Sequence, residues 1–298
     1  MLDVVIVGGS SAGLSAALIL GRSLRKVVVI DDQKPCNRFT HASHGFLTRD
    51  GTPPAELRRI GYEQLERYPS VAIKAATALH VEKIPGGFEV TSSDDSKLHT
   101  RMILLATGLH DELPPLAGIE GLWGKSVFHC PYCDGYEVSG KAIAVYGTDE
   151  AALHQVMLIR NLTDNVTLCT GDAWKPSETQ REKLARFGIR VIERPIREIE
   201  SAGDQIQSIR FVDGSVLESD ALFIRPKTTH RTPFAYQLGC EVNENQIVQV
   251  DIRGRTTVEG VYAAGDLSSP MRSVAIAAAQ GAAAAYGINA ALIERDFQ

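Results

Sequence analysis

The chain of 298 residues has little cysteine and no dense run of basic side chains. Its five cysteines are too few and too scattered for the disulfide framework of a secreted domain, which indicates a reducing compartment. The 31 Lys and Arg residues are outnumbered by 36 Asp and Glu residues, and they form no stripe that would bind phosphates. These absences argue against a disulfide-stabilised secreted protein and against nucleic acid as a partner.

Signals for export or membrane insertion are also missing from the sequence. The N-terminal residues Met1 to Asp3 lead directly into an apolar strand, without a basic region or a small-residue cleavage site. We expect no apolar stretch of the roughly 18 residues that are needed to span a membrane. We therefore expect a cytoplasmic protein with no membrane partner. The length and the hydrophobic content of 44% favour two domains.

A strand, a glycine-rich turn and a helix begin the chain. The β-branched run Val4 to Val7 leads into the sequence GGSSAG and then into an Ala/Leu-rich helix. Gly8 permits the turn and Gly13 allows the helix to pack close to the strand, while the free N–H groups of the first helical turn point at a pyrophosphate. A second strand ends at Asp31, where an acid can bind a ribose hydroxyl. The pattern predicts a dinucleotide site.

One position departs from the usual G-x-G-x-x-G pattern, because Ser10 stands in place of the middle glycine. Serine adds only a hydroxymethyl group that can itself donate to phosphate, so we expect the site to function. Far downstream, a second strand-like run ends at Gly265 and Asp266 and is followed by an alanine-rich segment, from about Met271 to Ile293. We expect a helix there, whose positive end faces whatever Asp266 holds.

Two cysteines separated by two residues are the most informative feature of the sequence. Cys130 and Cys133 can carry two electrons as a dithiol or a disulfide, and Asp134 adds a proton donor at the next position. A structural zinc site would need four ligands, and no second pair is spaced suitably, although His129 is adjacent. A single C-x-x-C in such a chain indicates redox chemistry.

Four motifs in this order resemble the low-molecular-weight thioredoxin reductase family of FAD-dependent disulfide oxidoreductases. They are the N-terminal fingerprint, Ala106-Thr107-Gly108 after an apolar strand, the C-x-x-C-D-G segment and the terminal sequence GVYAAGD. The resemblance implies an α/β fold of two Rossmann-like (FAD/NAD(P)-binding) three-layer domains, with the second inserted in the first. It implies an FAD-binding domain at residues 1-112 and 231-298, a pyridine-nucleotide-type domain at residues 116-228, and a homodimer.

The resemblance also assigns roles to individual residues. Cys133 would lie against the flavin, Cys130 would exchange with an external thiol or disulfide, and Asp134 would move protons. Asp266 would meet the ribityl and pyrophosphate region of FAD, and the backbone near Ser273 would reach the flavin ring. The expected cofactor-binding residues are Gly8, Ser10, Ser11, Ala12, Gly13, Asp31, Ala106, Thr107, Gly108, Gly265, Asp266, Arg272, Ser273 and Val274.

The second dinucleotide-type unit departs from this family in ways that count against NADPH. Asp149 stands where the second fingerprint glycine should be, and Glu150 follows it. One carboxylate about 5 Å from a phosphate charge costs on the order of 3 kcal/mol at an effective dielectric near 20. The segment from Cys169 to Trp174, where the family carries arginines for the 2′-phosphate, contains none. We expect a domain that keeps its fold but does not use NADPH efficiently.

Three functions remain open at this point. The first is a reductase of a thioredoxin-like protein, supplied by NADPH or by a ferredoxin-like donor. The second is an oxidase that forms disulfides in small dithiols and passes electrons to oxygen. The bulky Pro131-Tyr132 pair and the Tyr136-Glu137 pair resemble the branch that contains gliotoxin-type dithiol oxidases and reductases without pyridine nucleotide. The third is a flavin-binding redox sensor without turnover.

Four further residues are weaker candidates. Cys36 could be an additional thiol near the cofactor, although a packed loop cysteine is the simpler interpretation. His44 lies in a loop that resembles the flavin-side loop of the same branch, where it would be a proton carrier or an ordinary loop histidine. Cys169 and Cys240 fall on strand-like or loop positions, and we expect them to be inert.

Overall fold

A computed structural model describes residues 1–298, which divide into two compact units. Unit 1 contains Met1–Arg38, Gly45–His110 and Thr228–Gln298. Unit 2 contains Phe39–His44 and Asp111–Lys227, so that the chain of the first unit is interrupted by the second. The short segment 39–44 belongs to unit 2 although its sequence neighbours on both sides belong to unit 1.

Strands and helices alternate along much of the chain. The strands are β1 (Leu2–Val7), β2 (Val27–Asp31), β3 (Val71–Ala75), β4 (Ala78–Ile84), β5 (Gly87–Ser92), β6 (Lys97–Leu105), β7 (Leu109–Glu112), β8 (Val127–Phe128), β9 (Ile143–Tyr146), β10 (Val166–Cys169), β11 (Arg190–Ile192), β12 (Ile196–Ala202), β13 (Gln205–Phe211), β14 (Val216–Glu218), β15 (Ala221–Ile224), β16 (Lys227–His230) and β17 (Val261–Ala263). The helices are α1 (Ser11–Arg22), α2 (Pro54–Leu65), α3 (Pro131–Asp134), α4 (Ala151–Arg160), α5 (Glu178–Arg186), α6 (Phe234–Gln237) and α7 (Val274–Asp296). Short 3₁₀ helices lie at Cys36–Phe39, Glu120–Leu122 and Gly265–Ser268.

Unit 1 is built on a sheet of the order β3-β2-β1-β6-β5-β4, with β17 also paired to β6. The strands β1, β2, β3, β6 and β17 are parallel, while β4 and β5 form an antiparallel extension. The side chains of β1 are buried on both faces, as is typical of a parallel sheet covered on both sides. This arrangement brings the carboxyl ends of β1, β6 and β17 to one edge of the sheet.

Helix α7 is long and apolar enough to span a membrane by length and composition, with a mean hydropathy of 1.4 over its most apolar window. The expectation that no segment has this character is therefore wrong for α7. In the structure the helix packs into unit 1, where Ala284, Ile288 and Leu292 join the core beside α1. Close packing explains its composition: a Cβ atom on Gly281 would lie 2.0 Å from the carbonyl oxygen of Ala12.

Unit 2 contains a parallel sheet of the order β11-β10-β9-β15-β8 and a separate antiparallel sheet of β12, β13 and β14. A capping box begins α5. The Oγ atom of Ser177 accepts the N–H of Gln180 at 3.3 Å, and the side-chain oxygen of Gln180 accepts the N–H of Ser177 at 2.8 Å. Unit 2 thus keeps a regular nucleotide-type architecture.

Candidate active site

The junction of β1 and α1 in unit 1 presents unpaired helix N–H groups. Ser10 is the N-cap residue in an extended conformation, and no side chain caps the helix. The helical hydrogen bonds begin with the N–H of Leu14, which donates to the carbonyl oxygen of Ser10 at 2.9 Å. The N–H groups of Ser11, Ala12 and Gly13 therefore have no acceptor within the helix, and they form an anion site together with the helix dipole.

Close backbone contacts dictate the two outer glycines of this turn. Gly8 has a φ of +109°, and a Cβ atom there would lie 2.2 Å from the carbonyl oxygen of Ala106. A Cβ atom on Gly13 would lie 1.8 Å from the carbonyl oxygen of Gly8. The structure therefore brings the fingerprint turn against the segment Ala106 to Gly108, as the shared site requires. No larger residue fits at either glycine without moving backbone.

Asp31 anchors the glycine turn to helix α2. Its Oδ1 atom accepts the N–H of Gly9 at 3.1 Å, and its Oδ2 atom accepts hydrogen bonds from Arg58 at 2.5 Å and from the Tyr62 hydroxyl at 2.6 Å. Burial and the neighbouring Asp31 carboxylate raise the pKa of Tyr62 to about 12, so its hydroxyl stays a donor. The ribose contact of Asp31 stays a prediction, since three donors already hold this carboxylate.

Arg58 and Tyr62 are functional candidates that the sequence did not reveal. They lie one turn apart on α2, and the guanidinium of Arg58 also lies 5.4 Å from the centre of the Tyr62 ring. An i, i+4 pair of this kind is common on helices, so the only available signal was weak. Their importance follows from the fold, which packs α2 beside the glycine turn.

Asp266 lies in the 3₁₀ helix Gly265–Ser268, which precedes α7, beside a cation and a thiol. Its Oδ2 atom accepts the Nε–H of Arg272 at 3.0 Å, and the Sγ atom of Cys36 lies 3.7 Å away. The helix begins at Val274, three residues after the predicted start, because Ser273 is its N-cap and accepts the N–H of Ile276. Cys36 therefore lies next to the acid expected to hold the cofactor.

The residues of unit 1 fit a dinucleotide cofactor such as FAD. The hydroxyl of Thr107 is buried and has no hydrogen-bond partner in the protein, which suits a group that binds a ligand. A cleft beside the start of α1 is lined by Ser10, Ser11, Arg49 and Arg58 together with apolar side chains such as Leu14 and Phe46. The serine and arginine residues among them suit a phosphate group.

The thiol pair lies in unit 2 on the short helix α3. The Sγ atoms of Cys130 and Cys133 are 2.7 Å apart. Cys130 is the N-cap residue, and its carbonyl oxygen accepts the N–H groups of Cys133 at 3.1 Å and of Asp134 at 3.2 Å. Pro131 at the first helical position has its φ preset for this turn. The single turn thus places both sulfur atoms on one face, within bonding reach after small movements.

Two contacts support the thiol pair from behind. One is made by Gln155 on α4, and the other is made at Gly135, the residue that follows α3. The Nε2 atom of Gln155 donates to the carbonyl oxygen of His129 at 2.9 Å and to that of Ile224 at 3.3 Å. A Cβ atom on Gly135 would lie 2.5 Å from a methyl carbon of Leu162 and 2.3 Å from the carbonyl oxygen of Pro131. Gln155 thereby tethers the backbone next to Cys130. A lone glutamine in a helix carries no sequence signal for this role.

Asp134 is the acid of the site. Burial, followed by the negative charges of Cys130 and Glu137, raises the pKa of Asp134 to about 7, while His44 acts in the opposite direction. The carboxyl group therefore carries a proton up to neutral pH and can donate it to a leaving thiolate. His44 Nε2 lies 3.3 Å from Glu137 Oε1.

The remaining cysteines are buried. Burial raises the pKa of Cys169 to about 12, and it also raises the pKa of Cys240, whose Sγ atom lies 3.6 Å from the hydroxyl of Thr256. A thiolate is the reactive form of cysteine, so both environments disfavour chemistry. No cluster of three or more His, Cys, Asp or Glu side chains is arranged to hold a metal ion.

The second nucleotide-type turn, between β9 and α4, carries carboxylates at the start of the helix. Asp149 Oδ1 accepts the N–H of Ala151 at 2.9 Å, and Glu150 Oε1 accepts a hydrogen bond from Gln180 at 2.7 Å. A Cβ atom on Gly147 would lie 2.1 Å from Cβ of Ala152, so the tight strand-to-helix packing is retained. The turn keeps its shape and presents negative charge.

A dinucleotide-type unit and a second unit that carries a thiol pair beside a protonated acid define a disulfide oxidoreductase. The chain belongs to the pyridine nucleotide-disulphide oxidoreductase family, whose model matches residues 2–281. It is 29% identical to thioredoxin reductase aclD of Aspergillus oryzae over 97% of this chain and 95% of that protein. It is 30% identical to thioredoxin reductase sirT of Leptosphaeria maculans over 97% and 94% of the two chains.

A crystal structure of a protein named thioredoxin reductase TrxB, from Bacillus anthracis, is similar to this chain with a TM-score of 0.95. The two are 34% identical, and the similarity covers 99% of this chain and 100% of that one. These comparisons confirm the predicted fold class, two Rossmann-like α/β domains with the second inserted in the first. They also confirm the predicted enzyme class, an FAD-dependent disulfide oxidoreductase, and do not favour the oxygen-dependent oxidase or the sensor without turnover.

Proposed function

We propose that this enzyme passes two electrons between FAD in unit 1 and an external disulfide by way of Cys130 and Cys133. The observation that carries the proposal is the pair of sulfur atoms 2.7 Å apart, followed by Asp134 with a pKa of about 7. The relatives named thioredoxin reductases support a thioredoxin-like protein as the partner. A small dithiol or disulfide is the other partner compatible with the motif.

FAD, when bound, supplies the store for two electrons. In unit 1, the N–H groups of α1 and the hydroxyls of Ser10 and Thr107 would hold its pyrophosphate region. Asp266, with Arg272 beside it, would hold the ribityl region, and the first turn of α7 from Ser273 and Val274 would face the flavin ring. The positive end of α7 favours negative charge on such a ring.

The exchange at the thiol pair is balanced without a further reagent. The Cys130 thiolate attacks one sulfur of the external disulfide, whose S–S bond breaks, and the first leaving thiolate takes a proton from Asp134. Cys133 then loses its proton to Asp134 and attacks Cys130, which breaks the mixed disulfide. The second leaving thiolate takes that proton, so the pair ends as a disulfide and the partner as a dithiol.

The electron donor is expected to be something other than NADPH. The carboxylates of Asp149 and Glu150 at the start of α4 support this part of the proposal, because a pyrophosphate would meet their charge. A ferredoxin-like protein is the alternative donor that we propose. We also propose that the protein is a homodimer, as the family resemblance implies. We propose a cytoplasmic location because thiol-based redox chemistry fits a reducing compartment.

The decisive experiment is the substitution Cys130→Ser. The variant is expected to lose exchange with a disulfide substrate completely while it retains bound FAD, because the fingerprint and α7 residues lie in unit 1. Product thiols are measured after anaerobic mixing of the pre-reduced protein with a linear disulfide such as cystamine, and flavin content is measured by absorbance. Cys240→Ser is the matched control, since Cys240 is buried and its thiolate is disfavoured. Full exchange by Cys130→Ser would sink the assignment.

A further inference from the structure

A very short strand at the edge of the unit 2 sheet leads into the thiol turn. Strand β8 has two residues, and it lies beside β15 at the end of the order β11-β10-β9-β15-β8. The two strands are joined through the residue pairs Leu222 with Val127 and Phe223 with Phe128. Only His129 separates the last of these pairs from the thiol turn.

Gln155 on α4 joins the two strands just beyond the end of this ladder. Its Nε2 atom donates to the carbonyl oxygen of His129 at 2.9 Å and to that of Ile224 at 3.3 Å. These two residues follow the last paired residues of β8 and β15. An amide nitrogen carries two N–H donors, so this one side chain extends the connection between the strands by one step.

The surroundings of Gln155 are otherwise apolar. The residue is 4% exposed, and its Oε1 atom is buried without a hydrogen-bond partner in the protein. Its neighbours Ala152, Val156 and Ile159 on α4 belong to the hydrophobic core of unit 2. A buried amide oxygen without a partner is unfavourable, so an apolar side chain would serve better if packing were the only requirement. The two donated hydrogen bonds therefore explain the glutamine.

The hydrogen bond to His129 fixes the peptide plane that joins His129 to Cys130. Cys130 is the N-cap of α3 with a φ of −110°, and this angle changes if the plane turns. The other side of the turn is fixed by the Cys130 carbonyl oxygen, which accepts the N–H of Cys133 at 3.1 Å. With both sides held, the two sulfur atoms lie 2.7 Å apart. Without the anchor, the turn can open at its N-cap and the sulfur atoms can separate.

We infer that Gln155 is a positioning residue that stabilises the disulfide between Cys130 and Cys133 relative to the dithiol. The inference rests on the proposed function. Thiols that are already held together lose less conformational freedom when they form a bond, so the equilibrium constant for disulfide formation is larger. Gln155 thereby lowers the reduction potential of the pair. In exchange with dithiothreitol, the Cys130–Cys133 bond forms as the cyclic disulfide of the reagent is reduced to two thiols.

A redox titration of the FAD-containing protein tests this inference. The unmodified protein and Gln155→Leu are equilibrated anaerobically in mixtures of reduced and oxidised dithiothreitol, and free thiols are then alkylated. Mass spectrometry of the tryptic peptide 126–141, which holds both cysteines of the pair and no other, gives the disulfide fraction. Gln155→Leu is expected to lower the equilibrium constant for the disulfide about tenfold, a rise of about 30 mV in potential.

Gln155→Glu is a second variant, which keeps the size of the side chain and replaces both N–H donors. It should shift the equilibrium in the same direction, and circular dichroism checks the fold of both variants. Val156→Ala is the matched control, because Val156 is the next residue of α4, is fully buried and has no polar atom in its side chain. It should lower the free energy of unfolding in urea and leave the potential of the pair in place.

Two results would overturn the inference. One is an unchanged equilibrium constant in both Gln155 variants, and the other is a shift no larger than that of Val156→Ala. The potential is measured at equilibrium and without turnover of a partner. Exchange with cystamine retained by Cys130→Ser would instead contradict the proposed function, so the two failures are distinguishable.

Discussion

The turn between β1 and α1 in unit 1 and the turn between β9 and α4 in unit 2 have the same architecture and opposite charge. Gly8 and Gly147 each lie at the end of a central strand, and close packing excludes a side chain at both. At the first turn the helix N–H groups have no capping side chain, whereas at the second Asp149 accepts the N–H of Ala151. A strand–turn–helix unit can therefore keep its fold after its ligand chemistry has changed.

The largest expected effect is that of Gly13→Ala in unit 1. The new Cβ atom would lie 1.8 Å from the carbonyl oxygen of Gly8, so the helix must move and the pyrophosphate site is lost. Purified protein is expected to contain no flavin by absorbance. The change Gly147→Ala at the second turn brings a Cβ atom 2.1 Å from that of Ala152 and should destabilise unit 2 without loss of flavin. Flavin retained by Gly13→Ala, or lost from Gly147→Ala, breaks the comparison.

The second effect concerns two aspartates, one in each unit, whose surroundings differ. Asp31 in unit 1 accepts three hydrogen bonds, whereas the pKa of Asp134 in unit 2 is raised from 3.8 to about 7. The folded state therefore binds more protons than the unfolded state between these values, and stability falls as pH rises through this window. Asp134→Asn should remove this dependence, which amounts to at most about 4 kcal/mol.

Urea unfolding of the reduced protein at pH 5 and pH 8 measures this change. The free energy of unfolding of Asp134→Asn minus that of the unmodified protein should be larger at pH 8 than at pH 5, because the unmodified protein loses stability between these values. Equal differences at the two pH values would show that Asp134 is already ionised at pH 5. The control Asp164→Asn changes an exposed acid of the same unit, and its difference should not depend on pH in this way.

The third prediction concerns NADPH, because the charge at the second turn is the proposed reason for weak binding. Anaerobic mixing of the unmodified protein with excess NADPH should leave the flavin absorbance unchanged. Asp149→Asn is expected to tighten NADPH binding by about 100-fold, from removal of a repulsion of about 3 kcal/mol. Asp164→Asn, four residues beyond the C-terminal end of α4, should not. Rapid stoichiometric bleaching of the unmodified protein would contradict the proposal.

The smallest effect is that of Ser177→Ala in unit 2, which removes the capping box of α5. The loss should be about 1 kcal/mol in the free energy of unfolding. Hydrogen exchange should show faster opening of the first turn of α5, with flavin content unchanged. Thr179→Ala, an exposed position of the same helix, should show neither change. A loss of flavin from Ser177→Ala would mean that the scaffold of unit 2 is needed for cofactor retention.

Much of the local structure could be predicted from the sequence. The predicted strand run Val4 to Val7 lies within β1 (Leu2–Val7), and α7 (Val274–Asp296) differs by three residues at each end from the predicted helix. The glycine turn, the capping box and the C-x-x-C turn depend on residues close in sequence, so the sequence pattern alone can indicate them. The hydrogen bonds of Arg58 to Asp31 and of Gln155 to His129 join residues 27 and 26 positions apart, and no local sequence pattern predicts them.

By itself the sequence determined the chemistry available to this protein. It contains a dinucleotide turn, a thiol pair with an adjacent acid, and a second turn whose carboxylates would repel a pyrophosphate. These features depend on residue type and short spacing. Only the tertiary structure decided which distant groups act on them. Arg58 and Tyr62 hold Asp31, Cys36 lies beside Asp266, and the loop that carries His44 belongs to unit 2. The physical reason is that burial and charge act through space, and spatial proximity is set by the fold.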